Sequence, residues 1–165
     1  MDKEDLTVTL TMIMEPQHAN VYGNVHGGEI MRLMDTTAGC TAIKYSKATC
    51  VAARVDEFQF LKPIHIGSLL KSTGTVIYTG NTSIEVRVTV DVESLLEHSR
   101  SYRAIEAFFT YVALNKEGKP TPVLKYVPKT EREKELYRYV KQRRAFDLQR
   151  REEAKARKND SIQNV

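Results

Sequence analysis

The chain has 165 residues, 41% of them apolar, enough for one compact domain with a real core and too few for two domains of ordinary size. No stretch approaches the roughly 20 consecutive apolar residues of a membrane-spanning helix, and the charged start Met-Asp-Lys-Glu-Asp lacks the apolar run of a secretory signal, so a soluble, cytoplasmic chain is expected. The net charge of +4 is local: residues 131–158 hold 11 Lys/Arg against 6 Asp/Glu, so the basic character says little about what the rest of the chain binds.

Val8, Leu10, Met12 and Met14 alternate with Thr7, Thr9, Thr11 and Ile13, which predicts a first strand with one apolar face. A long connection over residues 15–26 follows, and connections of that length in compact domains are more often functional than decorative. Residues 28–44 then read as a helix whose apolar positions, Ile30, Met31, Leu33, Met34, Ala38, Ala42 and Ile43, spread widely around the wheel, so the helix is expected to be mostly enclosed. Two cysteines, Cys40 in the helix and Cys50 at a strand start, have neither the number nor the spacing of a metal site or a disulfide framework and are read as buried free thiols.

Four more strands are predicted at residues 49–61, 68–79, 82–93 and 101–115, with turns at Lys62-Pro63, Gly80-Asn81 and Glu97-His98-Ser99. In the fourth strand Ile84, Val86, Val88, Val90 and Val92 alternate with Glu85, Arg87, Thr89, Asp91 and Glu93, which predicts one wet face. In the second the apolar phase changes from Val51, Ala53, Val55 to Phe58, Phe60, which predicts a bulge near Asp56 or Glu57. The order gives an α+β fold, an antiparallel sheet wrapping one long helix. Thr130-Glu-Arg-Glu133 is a capping box opening a charged helix expected to fray before Val165, so the chain divides into a domain over 1–128 and a basic helical extension over 129–165.

Gly27 and Gly28 precede the helix, and Asp35 stands seven residues after Gly28, about two turns along. At about 100° per residue Asp35 lies roughly 40° from Met31 and close to the sector of Ala38 and Ala42. A carboxylate against apolar side chains has its charged form disfavoured and its pKa raised, which suits a general base. The alternative is a solvated Asp35 paired with Arg32 at i−3. The glycines either permit a tight turn or bring first-turn N–H groups to a developing oxyanion.

The string Asn20-x-x-Gly23-x-Val25-His26-Gly27-Gly28-x-x-Met31-x-x-Met34-Asp35 resembles the signature of the hotdog-fold acyl-CoA thioesterases, specifically the cytosolic acyl-CoA hydrolase family. Arg54-Val-Asp-Glu-Phe-Gln-Phe-Leu-Lys-Pro63 and Gly80-Asn-Thr-Ser83 are similar to that family's later landmarks, and the likeness spans about residues 5–128. The resemblance implies hydrolysis of acyl-CoA to free acid and CoA, with Asp35 activating water, Asn20 orienting, and Gly28 stabilising the oxyanion. It further implies that His26, Gly27, Arg54, Phe60, Lys62, Pro63, Asn81, Thr82 and Ser83 meet the substrate or its CoA portion. No metal or redox cofactor is implied, CoA being part of substrate and product.

In hotdog dimers the loop of one subunit meets the helix of the other, so Asn20 and Asp35 are expected to act from different chains of a homo-oligomer, a dimer at least and by the family likeness a hexameric trimer of dimers. Read alone, Asn20 is a turn residue, His26 a packing residue, and Arg54 a cross-strand partner of Glu85, Asp91 or Glu106. Arg143, Arg144, Arg150 and Arg151 read as a solvated helix face, with Leu136, Val140 and Leu148 free to pack. Three other readings are a non-catalytic acyl-CoA sensor, an acyl-thioester hydratase or dehydratase using His26, and a nucleic-acid module working through the basic tail. The hydratase lacks its proline-rich stretch. The tail lacks base-stacking aromatic interleaving.

Overall fold

The computed structural model describes residues 6–95 and 101–163. In chain order these form β1 (Thr7–Ile13), a short 3-10 turn (Pro16–His18), α1 (Gly27–Ser46), β2 (Thr49–Phe60), β3 (Ser68–Thr79), β4 (Ser83–Ser94), β5 (Tyr102–Leu114) and α2 (Glu131–Gln163). The expected turn at 97–99 and the last residues before Val165 lie outside the described residues. Two compact units result, Met1–Tyr126 and Val127–Val165.

The first unit is one antiparallel sheet of order β1-β3-β4-β5-β2 with α1 against all five strands. Ile30, Leu33, Met34, Thr37, Ala38, Thr41, Ala42 and Tyr45 are buried, a stripe at i, i+3, i+4, i+7 spacing that follows from 3.6 residues per turn. Each large apolar side chain in it contributes about 1.5–3 kcal/mol by leaving water. The two threonines return their hydroxyls to the helix, Thr37 Oγ1 to Leu33 O at 2.8 Å and Thr41 Oγ1 to Thr37 O at 2.7 Å, so no polar cost remains. Thr37 Oγ1 also meets Ser72 Oγ of β3 at 2.8 Å. Helix and strand approach so closely there that a Cβ on Gly74 would collide with Thr41 Oγ1.

The other side of α1 departs from expectation. Met31, Arg32, Asp35, Thr36, Cys40 and Ile43 are exposed, so the helix is half enclosed by its own chain, and Cys40 is a surface thiol rather than a buried one. One sheet covers one helix face; the second is left exposed among the described residues of the first unit. The sheet has a matching open margin: β2 pairs only with β5, and Val51 and Val55 on it are each 44% exposed.

Strand β4 departs in the opposite direction. Its inner valines, Val86, Val88 and Val90, are fully buried as the alternation predicts, while its polar face is only partly wet, with Glu93 exposed, Arg87 and Asp91 half-buried, and Glu85 and Thr89 buried. Glu85 is 1% exposed and takes the Thr110 hydroxyl on both carboxylate oxygens at 3.1 Å. Arg87 forks onto Glu106 at 2.7 Å through each nitrogen, and Arg103 forks onto Asp91. Paired charges on neighbouring strands neutralise one another and fold flat, which shields a face that sequence alternation assigns to solvent. Strand β2 carries the predicted bulge as a register shift between Asp56 and Gln59, with a second between Ala52 and Arg54.

In α2 the capping box is reciprocal, Glu133 N–H donating to Thr130 Oγ1 and Thr130 N–H to Glu133 Oε2. Val140 is fully buried and Leu136 half-buried, while Leu148 lies outside the described side chains. Arg143 and Arg144 are half-buried, not fully solvated. Arg143 and Arg150 stand over the rings of Tyr139 and Phe146, so aromatic residues do interleave with the tail cations. Among the described residues no helix is long and apolar enough to cross a membrane.

Candidate functional site

The loop before α1 is built around Asn20. Its Oδ1 accepts from Tyr22 N–H at 2.9 Å and Asn24 N–H at 3.2 Å, and its own N–H donates to Asn24 O at 2.7 Å. Gly23 closes the turn with φ +79°, a conformation that costs a side-chain-bearing residue free energy. With both acceptor positions of the side-chain carbonyl filled, Asn20 keeps its Nδ2 hydrogens as the polar group it can offer outward. The loop is clipped to the segment after β2 by Val25 N–H donating to Ile64 O and by Asn24 Oδ1 against His65 Nδ1 at 3.0 Å.

Between loop and segment opens a cavity of about 420 Å³. Asn20, Asn24 and Gly27 line one wall, Phe60, Lys62 and Pro63 the other, over an apolar floor of Val25, Ile30 and Ile64. Gly27 matters sterically: a Cβ there would stand 3.0 Å from Phe60 Cζ. Lys62 is poised at the rim, its ammonium 5.1 Å from the Tyr102 ring centre, while the Tyr102 hydroxyl donates to Pro63 O.

The first turn of α1 has unpaired N–H groups carrying the positive end of the helix dipole. Gly28, expected to supply the oxyanion donor, does not line the cavity, and its N–H donates to Nδ1 of His26 at 2.9 Å. His26 is the N-cap, so it consumes the donor that sequence spacing assigned to the substrate. The neighbouring Gly27 lines the cavity, and its N–H has no acceptor among the described residues.

Asp35 is on the exposed side of α1 and does not reach this cavity. The apolar enclosure expected around it is not found among the described residues. Nor is Arg32 its partner, because Arg32 pairs with Glu29 at 2.8 Å. Its carboxylate instead accepts the hydroxyl of Tyr111, at 2.6 Å on Oδ1. Burial first, and this hydrogen bond second, push the Tyr111 phenol well above the usual tyrosine range, so it stays a donor.

Arg54 pairs with Asp56 on its own strand. Asn81, Thr82 and Ser83 form the β3–β4 turn, Thr82 O and Asn81 O accepting from Ala113 and Val123 N–H, and they do not line the cavity. Among the described residues no cluster of three or more His, Cys, Asp or Glu could hold a metal ion.

The family model for the thioesterase superfamily matches residues 22–97. A crystal structure of an apo-hexameric acyl-CoA thioesterase superposes with a TM-score of 0.85 at 33% identity, over 91% of this chain and 96% of that one. The chain belongs to the hotdog-fold acyl-CoA thioesterases. An acyl-CoA hydrolase from Staphylococcus aureus, solved in complex with butyryl coenzyme A, coenzyme A and coenzyme A disulfide, is 32% identical with a TM-score of 0.82 over 93% of each chain. The cytosolic acyl coenzyme A thioester hydrolase of Rattus norvegicus is 42% identical over 130 residues, 78% of this chain. The chain spans about a third of that relative's length, 34%.

In this thioesterase frame the loop residues Asn20 and Gly27 meet Phe60, Lys62 and Pro63, whereas Asp35 stands apart. Tyr111 is a residue that the sequence analysis did not single out. The available signal was that a tyrosine on a helix-facing strand position must find its hydroxyl a partner.

Proposed function

We propose that the chain hydrolyses acyl-CoA thioesters to a free acid and CoA. The observation that carries this reading is the division of the polar groups. Asn20 and Gly27 line one cavity, while Asp35 lies on the exposed side of α1 and outside that cavity. A site split in this way is completed by a second copy. Supporting it, two relatives superposed on this fold are described as an apo-hexameric acyl-CoA thioesterase and as a hydrolase complexed with butyryl coenzyme A. Alanine variants of the Staphylococcus aureus enzyme have been solved at an asparagine and an aspartate 15 positions apart, the spacing of Asn20 and Asp35.

In this reading the thioester carbonyl oxygen accepts from Gly27 N–H, with the helix dipole behind it, and Asn20 Nδ2 donates to the carbonyl or to the attacking water. Asp35 of a second copy takes the proton of that water as it adds to the carbonyl carbon. The tetrahedral intermediate collapses with cleavage of the C–S bond, and CoA leaves as a thiolate that is reprotonated. Attack by the Asp35 carboxylate itself, giving a mixed anhydride that water then opens, is distinguished by solvent oxygen entering the enzyme carboxylate in one turnover. Lys62 and Arg54 are the cations assigned to the CoA phosphates in this reading, Arg54 with Asp56 already beside it. The reaction so written uses water and the protein's own groups.

The assembly we propose is a homo-oligomer, a dimer at least and a trimer of dimers in full, acting in the cytoplasm. The open β2 margin and the exposed Met31, Val51, Val55 and Phe60 are what the second copy covers. Sedimentation showing a stable active monomer overturns this part. Thiol release over a panel of acyl-CoAs tests the activity, and Asp35→Ala should abolish turnover while CoA still binds. A bound thioester that survives unchanged points to an acyl-CoA sensor instead.

A further inference from the structure

Tyr111 of β5 is 4% exposed, and its hydroxyl lies within hydrogen-bond distance of two oxygens of one residue, Asp35 Oδ1 at 2.6 Å and Asp35 O at 2.9 Å. The approach needs a gap in the helix. Gly39, one turn beyond Asp35, provides it: a Cβ at Gly39 would stand 3.3 Å from the Tyr111 hydroxyl and 3.5 Å from Cε1. The sheet, not the exposed helix face, therefore sets where the carboxylate points. We propose that Tyr111 is a positioning residue for Asp35, holding one carboxylate oxygen so that the other is presented to the attacking water.

The proposal rests on the reading of Asp35 as the acid that activates water. A freely rotating aspartate on an exposed helix surface samples several rotamers, and most of them misdirect its lone pairs. A phenol rooted in a strand removes that freedom, and as a donor it stabilises the ionised carboxylate that a base must be. Backbone and side chain of the same residue share the hydroxyl, so the clamp fixes the carboxylate relative to the helix axis.

The test compares Tyr111→Phe, Gly39→Ala and Asp35→Ala in the full-length oligomer. Tyr111→Phe should lower kcat by about tenfold to a hundredfold with KM within about twofold. Gly39→Ala crowds the hydroxyl while improving helix propensity, so kcat should fall without a drop in Tm. Wild-type kcat in Tyr111→Phe overturns the proposal, as does unchanged kcat in Gly39→Ala. An active Asp35→Ala overturns the underlying reading instead, and an inactive Asp35→Ala beside a fully active Tyr111→Phe overturns the positioning role alone.

Discussion

The N–H of Gly28 ends on Nδ1 of His26, 2.9 Å away, and this bond starts α1. The imidazole satisfies a first-turn donor and, by doing so, leaves Gly27 as the amide on the cavity wall. His26→Ala should therefore act chiefly on stability, costing about 1 kcal/mol as a lost cap. Denaturant titration reads the loss. A His26→Ala enzyme of unchanged stability and abolished turnover refutes the capping role.

Asn20 and Asp35 do not meet within one chain, which makes a mixing experiment decisive. Asn20→Ala and Asp35→Ala homo-oligomers should each be inactive. Reassembled together at equal amounts they should regain about a quarter of wild-type sites, because a mixed pair holds one site with both residues intact. No recovery in verified mixed oligomers contradicts a site shared between copies.

A methyl group at position 27 meets Phe60, which is 51% exposed and can swing aside, so the fold tolerates it. The cavity does not. Gly27→Ala should keep Tm near wild type and lower kcat/KM on the order of 10²-fold by displacing the thioester from the amide. Acyl-CoA kinetics beside a thermal melt distinguish this from unfolding.

Gly74→Ala is the opposite case. Its Cβ would strike Thr41 Oγ1 and press to 3.2 Å from the Thr37 carbonyl, part of the helix backbone that cannot rotate away. Overpacking of this kind costs about 1–3 kcal/mol, so the melt should shift down by several degrees.

Alkaline stability follows from buried phenols. Burial raises the pKa of both Tyr111 and Tyr45 in the folded chain, so each stays protonated where the unfolded chain would ionise. Their contribution is complete below the unfolded value of about 10 and is lost as pH rises above it. Tyr111→Phe should flatten the fall in stability on the alkaline side, measured as Tm against pH; an identical slope rules out that phenol as a source.

Five strands, one long helix and the bulge near Asp56 were legible because period-2 and period-3.6 patterning acts locally. What escaped was decided by partners. The polar face of β4 is partly shielded because Arg87 and Arg103 pair with Glu106 and Asp91 on the neighbouring strand, a pairing that alternation in one strand does not encode. The helical wheel placed Asp35 near Ala38 and Ala42, which are fully buried, but a wheel gives an angle and not the edge of the covered stripe. Histidine is not among the usual helix caps, so the diversion of Gly28 had no composition signal. Tyr111 was not singled out, because nothing local in its strand shows that its hydroxyl reaches a helix residue 76 positions away.

The doubly occupied Oδ1 of Asn20 has a chemical consequence for what that position tolerates. Aspartate has the same outline and would still gather the two backbone N–H groups into the turn, yet it has no hydrogen to give and would bring a negative charge toward an oxygen gaining one. Serine could offer a hydrogen but is too short to span the turn. The carboxamide is the side chain that serves scaffold and chemistry at once, one end facing inward to the loop and the other to the substrate.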